Sequence, residues 1–245
     1  EDGGEPREQL ARAEEKIFAI LESKNTGAVV SMQDVLREAL MRIDARLKNQ
    51  HDSGGVESGF VDLDALTGGF HESELIILAA RPSMGKTALA ANIAEHVAVH
   101  GKVTTLFVSL EMSRIELADR MLCAYARVNG HKLRNGSISG DERKSLVSKA
   151  GEMSQAPLYI DDSPSRTMTE IGAAARRLKR KQRLGLIVID YLQLIEPDNS
   201  KDPRQEQVAK IARRLKGLAR ELKVPILCLA QLNRQAEASK DNLPR

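Results

Sequence analysis

The sequence predicts an α/β fold in which a mainly parallel sheet is flanked by helices and preceded by a helical segment. Three observations predict it. Short, continuously apolar runs recur along the chain, as strands do when helices cover both sheet faces. Segments with apolar residues at helical spacing separate those runs, and such alternation marks a doubly wound sheet. The stretch Leu75–Thr87, LIILAARPSMGKT, passes from an apolar run through a loop into a helix start.

Taken in order, residues 1 to about 25 are charged and helix-prone, with Leu10, Ala13, Ile17, Ile20 and Leu21 forming a modest apolar stripe. Asn25-Thr26-Gly27 breaks that helix, and Ser31-Met32-Gln33-Asp34 then reads as a cap for a second one. Its stripe, Leu36, Leu40, Ile43 and Leu47, is narrow and suits docking on another surface. The polar stretch Asn49–Gly55 is a linker, which divides the chain into a helical part, residues 1–52, and an α/β domain, residues 53–245. Strands are expected at Leu75–Ala79, Thr104–Leu110, Leu158–Ile160, Leu186–Ile189 and Pro225–Leu229. Among the helices, the one after Thr87 carries Leu89, Ile93 and Val97 on one side, and Thr167 with Glu170 forms a capping box for another. The clearest runs from Arg204 to Leu222, with Val208, Ile211, Leu215, Leu218 and Leu222 inward.

Composition agrees with this layout. A chain of 245 residues with 42% hydrophobic content can bury the core of one such domain plus an appendage. The formal net charge of +3 permits a nucleic-acid partner without demanding one. Cys123 and Cys228 lie in apolar surroundings, and nothing resembles a secretion signal or a membrane span of about 20 residues, so a reducing, cytoplasmic setting is expected. His96 and His100 stand four apart on a helix, but no glutamate lies between them, which reads as two surface histidines rather than a zinc motif.

The segment ARPSMGKT is a phosphate cradle. Backbone N–H groups of Arg81, Ser83, Met84, Gly85 and Ala88, around the ring of Pro82, line a loop that opens a helix N-terminus. Lys86 then reaches the β and γ phosphates of a nucleoside triphosphate, and the Thr87 hydroxyl ligates Mg²⁺. The usual spacing GxxxxGK[ST] is altered at its first glycine, which is Ala80 here. A second carboxylate for Mg²⁺ belongs at the C-terminal end of a buried strand, where Asp190 closes the run LIVID; a turn-forming aspartate is the plainer alternative. In several hydrolytic families a glutamate follows this aspartate, whereas Tyr191 follows it here. Glu111, just past the second strand, is the candidate general base, against the alternative of a charge stabilising the helix that begins near Ser113. Gln231, at the end of the last strand, reads as a γ-phosphate sensor or as an exposed amide.

Five motifs occur in a fixed order: GFVDLDALTGGF, AARPSMGKTALA, SLEMS, VIDYLQL and LAQLNR. Together they resemble the ATPase domain of DnaB-type replicative DNA helicases, hexameric RecA-like motors, over roughly residues 30 to 245. The resemblance implies an ATP-dependent motor with Mg²⁺ as cofactor, single-stranded DNA as partner, and primase and a helicase loader as further partners. It assigns Lys86 and Thr87 to the phosphates and metal, Asp190 to the metal, Glu111 to base catalysis and Gln231 to sensing. It also implies that Arg120 lies near the nucleotide base and that the stripe Leu36–Leu47 docks on a neighbouring subunit. Because the chain stops at Arg245, before the family's later DNA-contacting loop and arginine finger, slow hydrolysis and poor unwinding are expected. The loop Pro197–Arg204 would face the channel of the ring, with Lys201 and Arg204 as phosphate contacts; a solvated loop is the alternative. The basic run Arg176–Arg183 reads as a solvated face, and 3% aromatic content disfavours base stacking as the chief mode of contact. A RecA or RadA type recombinase, a KaiC-like regulatory ATPase and a small-molecule kinase are the alternatives.

Overall fold

The computed structural model describes residues 30–48, 54–197 and 199–232. The helix expected over residues 1–25 lies outside them, as does most of the linker. The chain divides into two units, Glu1–His51 and Asp52–Arg245.

In the first unit, α1 (Met32–Lys48) starts where the Ser31 hydroxyl accepts the Asp34 amide at 3.2 Å. Leu36, Leu40 and Ile43 are all exposed.

The second unit runs α2 (Val61–Thr67), β1 (Leu75–Ala80), α3 (Lys86–Val99), β2 (Thr104–Ser109), α4 (Arg114–Tyr125), α5 (Gly130–Arg134), α6 (Gly140–Ser154), β3 (Leu158–Asp161), α7 (Met168–Lys181), β4 (Leu184–Asp190), a 3-10 turn (Leu192–Leu194), α8 (Arg204–Leu222) and β5 (Ile226–Gln231). The five strands pair in the order β1-β5-β4-β2-β3, every pair parallel. Side-chain alternation sends the same strands into two cores. Leu186 and Val188 of β4, Phe107 of β2, and Leu227 and Leu229 of β5 meet Ala90, Ile93, Ala94 and Val97 of α3 and Leu117 and Met121 of α4. Ile187 and Ile189, Leu106 and Val108, and Ile226 and Cys228 meet Ile171 and Ala175 of α7 and Ile211, Leu215, Leu218 and Leu222 of α8. Because β4 is covered on both sides, its four residues from Leu186 to Ile189 are fully buried, and each side chain contributes about 1.5–3 kcal/mol.

Among the described residues three helices begin with reciprocal capping boxes, Ser113 with Glu116, Ser139 with Glu142 and Thr167 with Glu170. Within the basic run, Arg176 forms a two-pronged ion pair with Glu221 of α8 at 2.6 and 2.9 Å, and Lys179 caps the Leu222 carbonyl. Arg177, Arg180, Lys181 and Arg183 are exposed. Among the described residues no helix is long and apolar enough to cross a membrane.

Candidate active site

Parallel strands deliver their C-terminal ends to one sheet edge, and the expected site residues collect there. Ala80, the last residue of β1, pairs with Gln231, the last of β5. Asp190, the last of β4, pairs with Ser109, the last of β2, and Glu111 follows two residues later. Since β5 lies between β1 and β4, the cradle, Gln231, Asp190 and Glu111 follow one another along that edge.

Ala80 is an ordinary strand residue, so the altered first position of the motif needs no glycine. The loop turns instead at Ser83 and Gly85, with φ values of 64° and 82°. A Cβ at Gly85 would meet open space, so glycine is required there by the left-handed backbone alone. No side chain caps α3, whose first N–H groups are therefore left to the loop mouth. The Lys86 ammonium sits over the Tyr191 ring, 4.3 Å from its centroid.

Asp190 is fully buried, and neither carboxylate oxygen has a hydrogen-bond partner of ordinary geometry. Burial pushes its carboxyl above the usual aspartate range, against the opposing pull of the Thr87 hydroxyl and the Lys86 ammonium. A buried carboxylate left this way is costly unless something binds it. The Asp190 carboxylate and the Thr87 hydroxyl beside it are hard oxygen donors, a set that fits a divalent cation such as Mg²⁺. Among the described residues no cluster of three or more His, Cys, Asp or Glu is placed to hold a metal.

Glu111 is exposed; among the described residues no hydrogen bond or ion pair engages it, and its charge reaches both Asp190 and Tyr191. The start of α4 is served by other carboxylates: Glu116 caps Ser113, and Asp162 accepts the Arg114 amide at 2.9 Å. Arg120 stands on α4, and its charge is felt at Asp190. It lines a groove with Glu116, Asp119, Cys123, Leu133 and Arg134. Lys201 is exposed, its amide held by the Asn199 side chain at 3.1 Å. Arg204 is the first residue of α8, as its helical spacing predicts, and its guanidinium donates to the Gln193 carbonyl and, at 3.1 Å, to the Gln207 amide oxygen. Sequence reasoning passed over two residues of VIDYLQL. Tyr191, noted only as a missing glutamate, cradles the Lys86 cation, and Gln193 holds the backbone of Gln231.

A family described as the DnaB-like helicase C-terminal domain matches residues 55–245. The chain belongs to this family. Its sequence is 42% identical over 241 residues, 98% of the chain, to the replicative DNA helicase DnaC of Bacillus subtilis (strain 168), of which it covers 53%. It is 43% identical over 236 residues to the replicative DNA helicase DnaB of Geobacillus stearothermophilus, covering 96% of this chain and 52% of that one. The chain thus spans about half the length of these curated relatives. Among solved structures, one described as an ATPase domain superposes with a TM-score of 0.78 at 33% identity, covering 85% of this chain and 75% of that one. A DnaB-like replicative helicase, described with its interactions with primase, superposes at 0.77 and 32% identity, covering 94% and 56%. The fold is therefore the RecA-like fold of DnaB ATPase domains, and membership favours that family over the recombinase, KaiC-like and kinase alternatives.

Proposed function

We propose that this DnaB-family domain is a helicase motor that couples hydrolysis of MgATP to movement along single-stranded DNA and to duplex unwinding. The observation that carries the reading is the buried, unpartnered Asp190 carboxylate beside Thr87 and Lys86, a site in want of a cation. The loop N–H groups and Lys86 would hold the β and γ phosphates, and Thr87 and Asp190 would hold Mg²⁺, which would supply positive charge against the charge developing on the phosphates. Glu111 would take a proton from water as the water oxygen bonds to the γ phosphorus. The bond from that phosphorus to the bridging oxygen breaks, leaving ADP and inorganic phosphate. Gln231 would hydrogen-bond the γ phosphate, and Arg120 would lie beside the base.

The assembly is a homo-oligomeric ring, hexameric as in the motors the motifs resemble, working in the cytoplasm. Primase is proposed as a partner because one structural relative is described with its interactions with primase. A closed ring also needs a loader to thread a long strand.

Labelled ATP tests the reading. Inorganic phosphate, released faster when single-stranded DNA is added, is the expected product; a phosphorylated metabolite would overturn it. Lys86→Ala should abolish tight MgATP binding. Glu111→Gln should leave binding within about twofold and slow hydrolysis by about 10²–10⁴, and equal loss of binding in both variants would remove Glu111 from the role of base.

A further inference from the structure

The tip of β5 is joined to the Asn199–Pro203 segment by an unbroken path of hydrogen bonds. The Gln193 side chain clamps the backbone of Gln231 at two points, its amide nitrogen donating to the carbonyl at 2.9 Å and its amide oxygen accepting the N–H at 3.2 Å. The main-chain carbonyl of Gln193 in turn accepts the Arg204 guanidinium, which also donates to the Gln207 side chain at 3.1 Å. Gln207, only 8% exposed, passes the connection on by donating to the carbonyls of Ser200 at 3.3 Å and Asp202 at 2.8 Å. Asp202 is fixed further by Lys210 at 2.7 Å and Asn199 at 2.9 Å, and Lys201 is exposed between these held residues.

Each link is specific in shape. A side-chain amide sets its donor nitrogen beside its acceptor oxygen, so the Gln193 clamp fits the N–H and carbonyl of a single backbone residue of β5, and a slide of the strand end breaks both bonds. A buried amide such as Gln207 keeps its partners, so the segment follows when Arg204 moves. We propose that Gln193 and Arg204 are positioning residues that tie occupancy of the γ-phosphate position at Gln231 to the placement of Asn199–Pro203, and thereby to the grip on the phosphate backbone of single-stranded DNA. The proposal rests on the motor reading above and adds to it the route by which nucleotide state reaches the strand.

The test measures linkage rather than turnover. Fluorescence anisotropy of a labelled oligo-dT gives the affinity of the full chain in Mg²⁺ with ATPγS and with ADP, and the ratio of the two is the coupling, about 5- to 150-fold for an ordinary coupled pair of sites. Gln193→Ala should keep nucleotide affinity within about threefold and bring the ratio within about twofold of one. Arg204→Lys keeps the charge but loses the planar fork that reaches two acceptors, and it should collapse the ratio in the same way. The double variant should fall no further. If Arg204 were simply a DNA contact, Arg204→Lys would leave the ratio intact, and that result overturns the proposal. Should Gln193→Ala fail to fold by circular dichroism, Arg204→Lys decides alone. A wild-type ratio above one that survives in both variants sinks the link and leaves the motor reading standing. A wild-type ratio of one removes both.

Discussion

Replacing Asp190 by Asn separates what the fold wants from what the site wants. The carboxylate is 0% exposed, and no hydrogen bond of ordinary geometry reaches either oxygen, so its amide isostere relieves the burial of a charge that the nearby Thr87 hydroxyl and Lys86 ammonium only partly offset. Part of the relief is offset, because Lys86 loses an attractive neighbour and keeps the Tyr191 ring. A net gain of about 1–2 kcal/mol is expected, since an unsatisfied buried polar group costs about 1–3 kcal/mol. For a domain of this size that raises Tm by roughly 2–8 °C in the absence of ligand. Saturating MgATPγS should reverse the order. At about 100 times Kd it stabilises the wild type by about 2.7 kcal/mol, whereas the variant lacks the carboxylate for the cation and gains little. Thermal melts by circular dichroism, with and without Mg²⁺ and nucleotide, read all four states. A variant less stable than wild type without ligand would refute the reasoning, because the carboxylate would then be serving the fold instead of waiting for a cation.

Two further outcomes are expected. Glu95, nearly buried on α3 with His100 at 3.8 Å, has its carboxyl raised above the ordinary value of 4.5 by burial, against the lowering effect of His100. The native state thus favours the protonated acid, and stability declines as pH rises from 4.5 through the folded value. Glu95→Gln should accordingly raise Tm at pH 7.5, with the difference vanishing near pH 4; an equal gain at both pH values would contradict this. The Cys228 thiol, fully buried in β5, is pushed up to about 12, and Cys123 is also raised by burial. Since the thiolate is the reacting form, Ellman's reagent at pH 8 should label neither within minutes until guanidinium unfolds the chain, and prompt native labelling of Cys228 would mean that β5 opens.

The sheet was legible because its strands are buried on both sides: a run such as Leu186–Ile189 has no polar face to disguise it, and α8 declares itself through Ile211, Leu215, Leu218 and Leu222. The strand order was not legible, since nothing local to β5 says that it enters between β1 and β4. Neither was α2, where Val61 is 82% and Leu66 86% exposed and no residue is buried, so no apolar stripe marks the helix. The shared edge of Ala80, Gln231, Asp190 and Glu111 followed from strand ends, because in a parallel sheet those ends lie side by side. Gln193 escaped notice for a different reason. Its clamp joins residues 38 apart in the chain through a side chain and a backbone, and neither composition nor periodicity records such a bond.

Ala80 carries one more consequence. As the rung of β1 opposite Gln231, it fastens the entrance of the cradle to the sheet, and the sharp bends come later, at Ser83 and Gly85. The loop is thus moored to the sheet at one end and turns away from it at the other, like a gangway fixed to the quay. On the proposed function, the near half of the loop keeps its alignment with the strand that carries Gln231 whatever nucleotide occupies the far half.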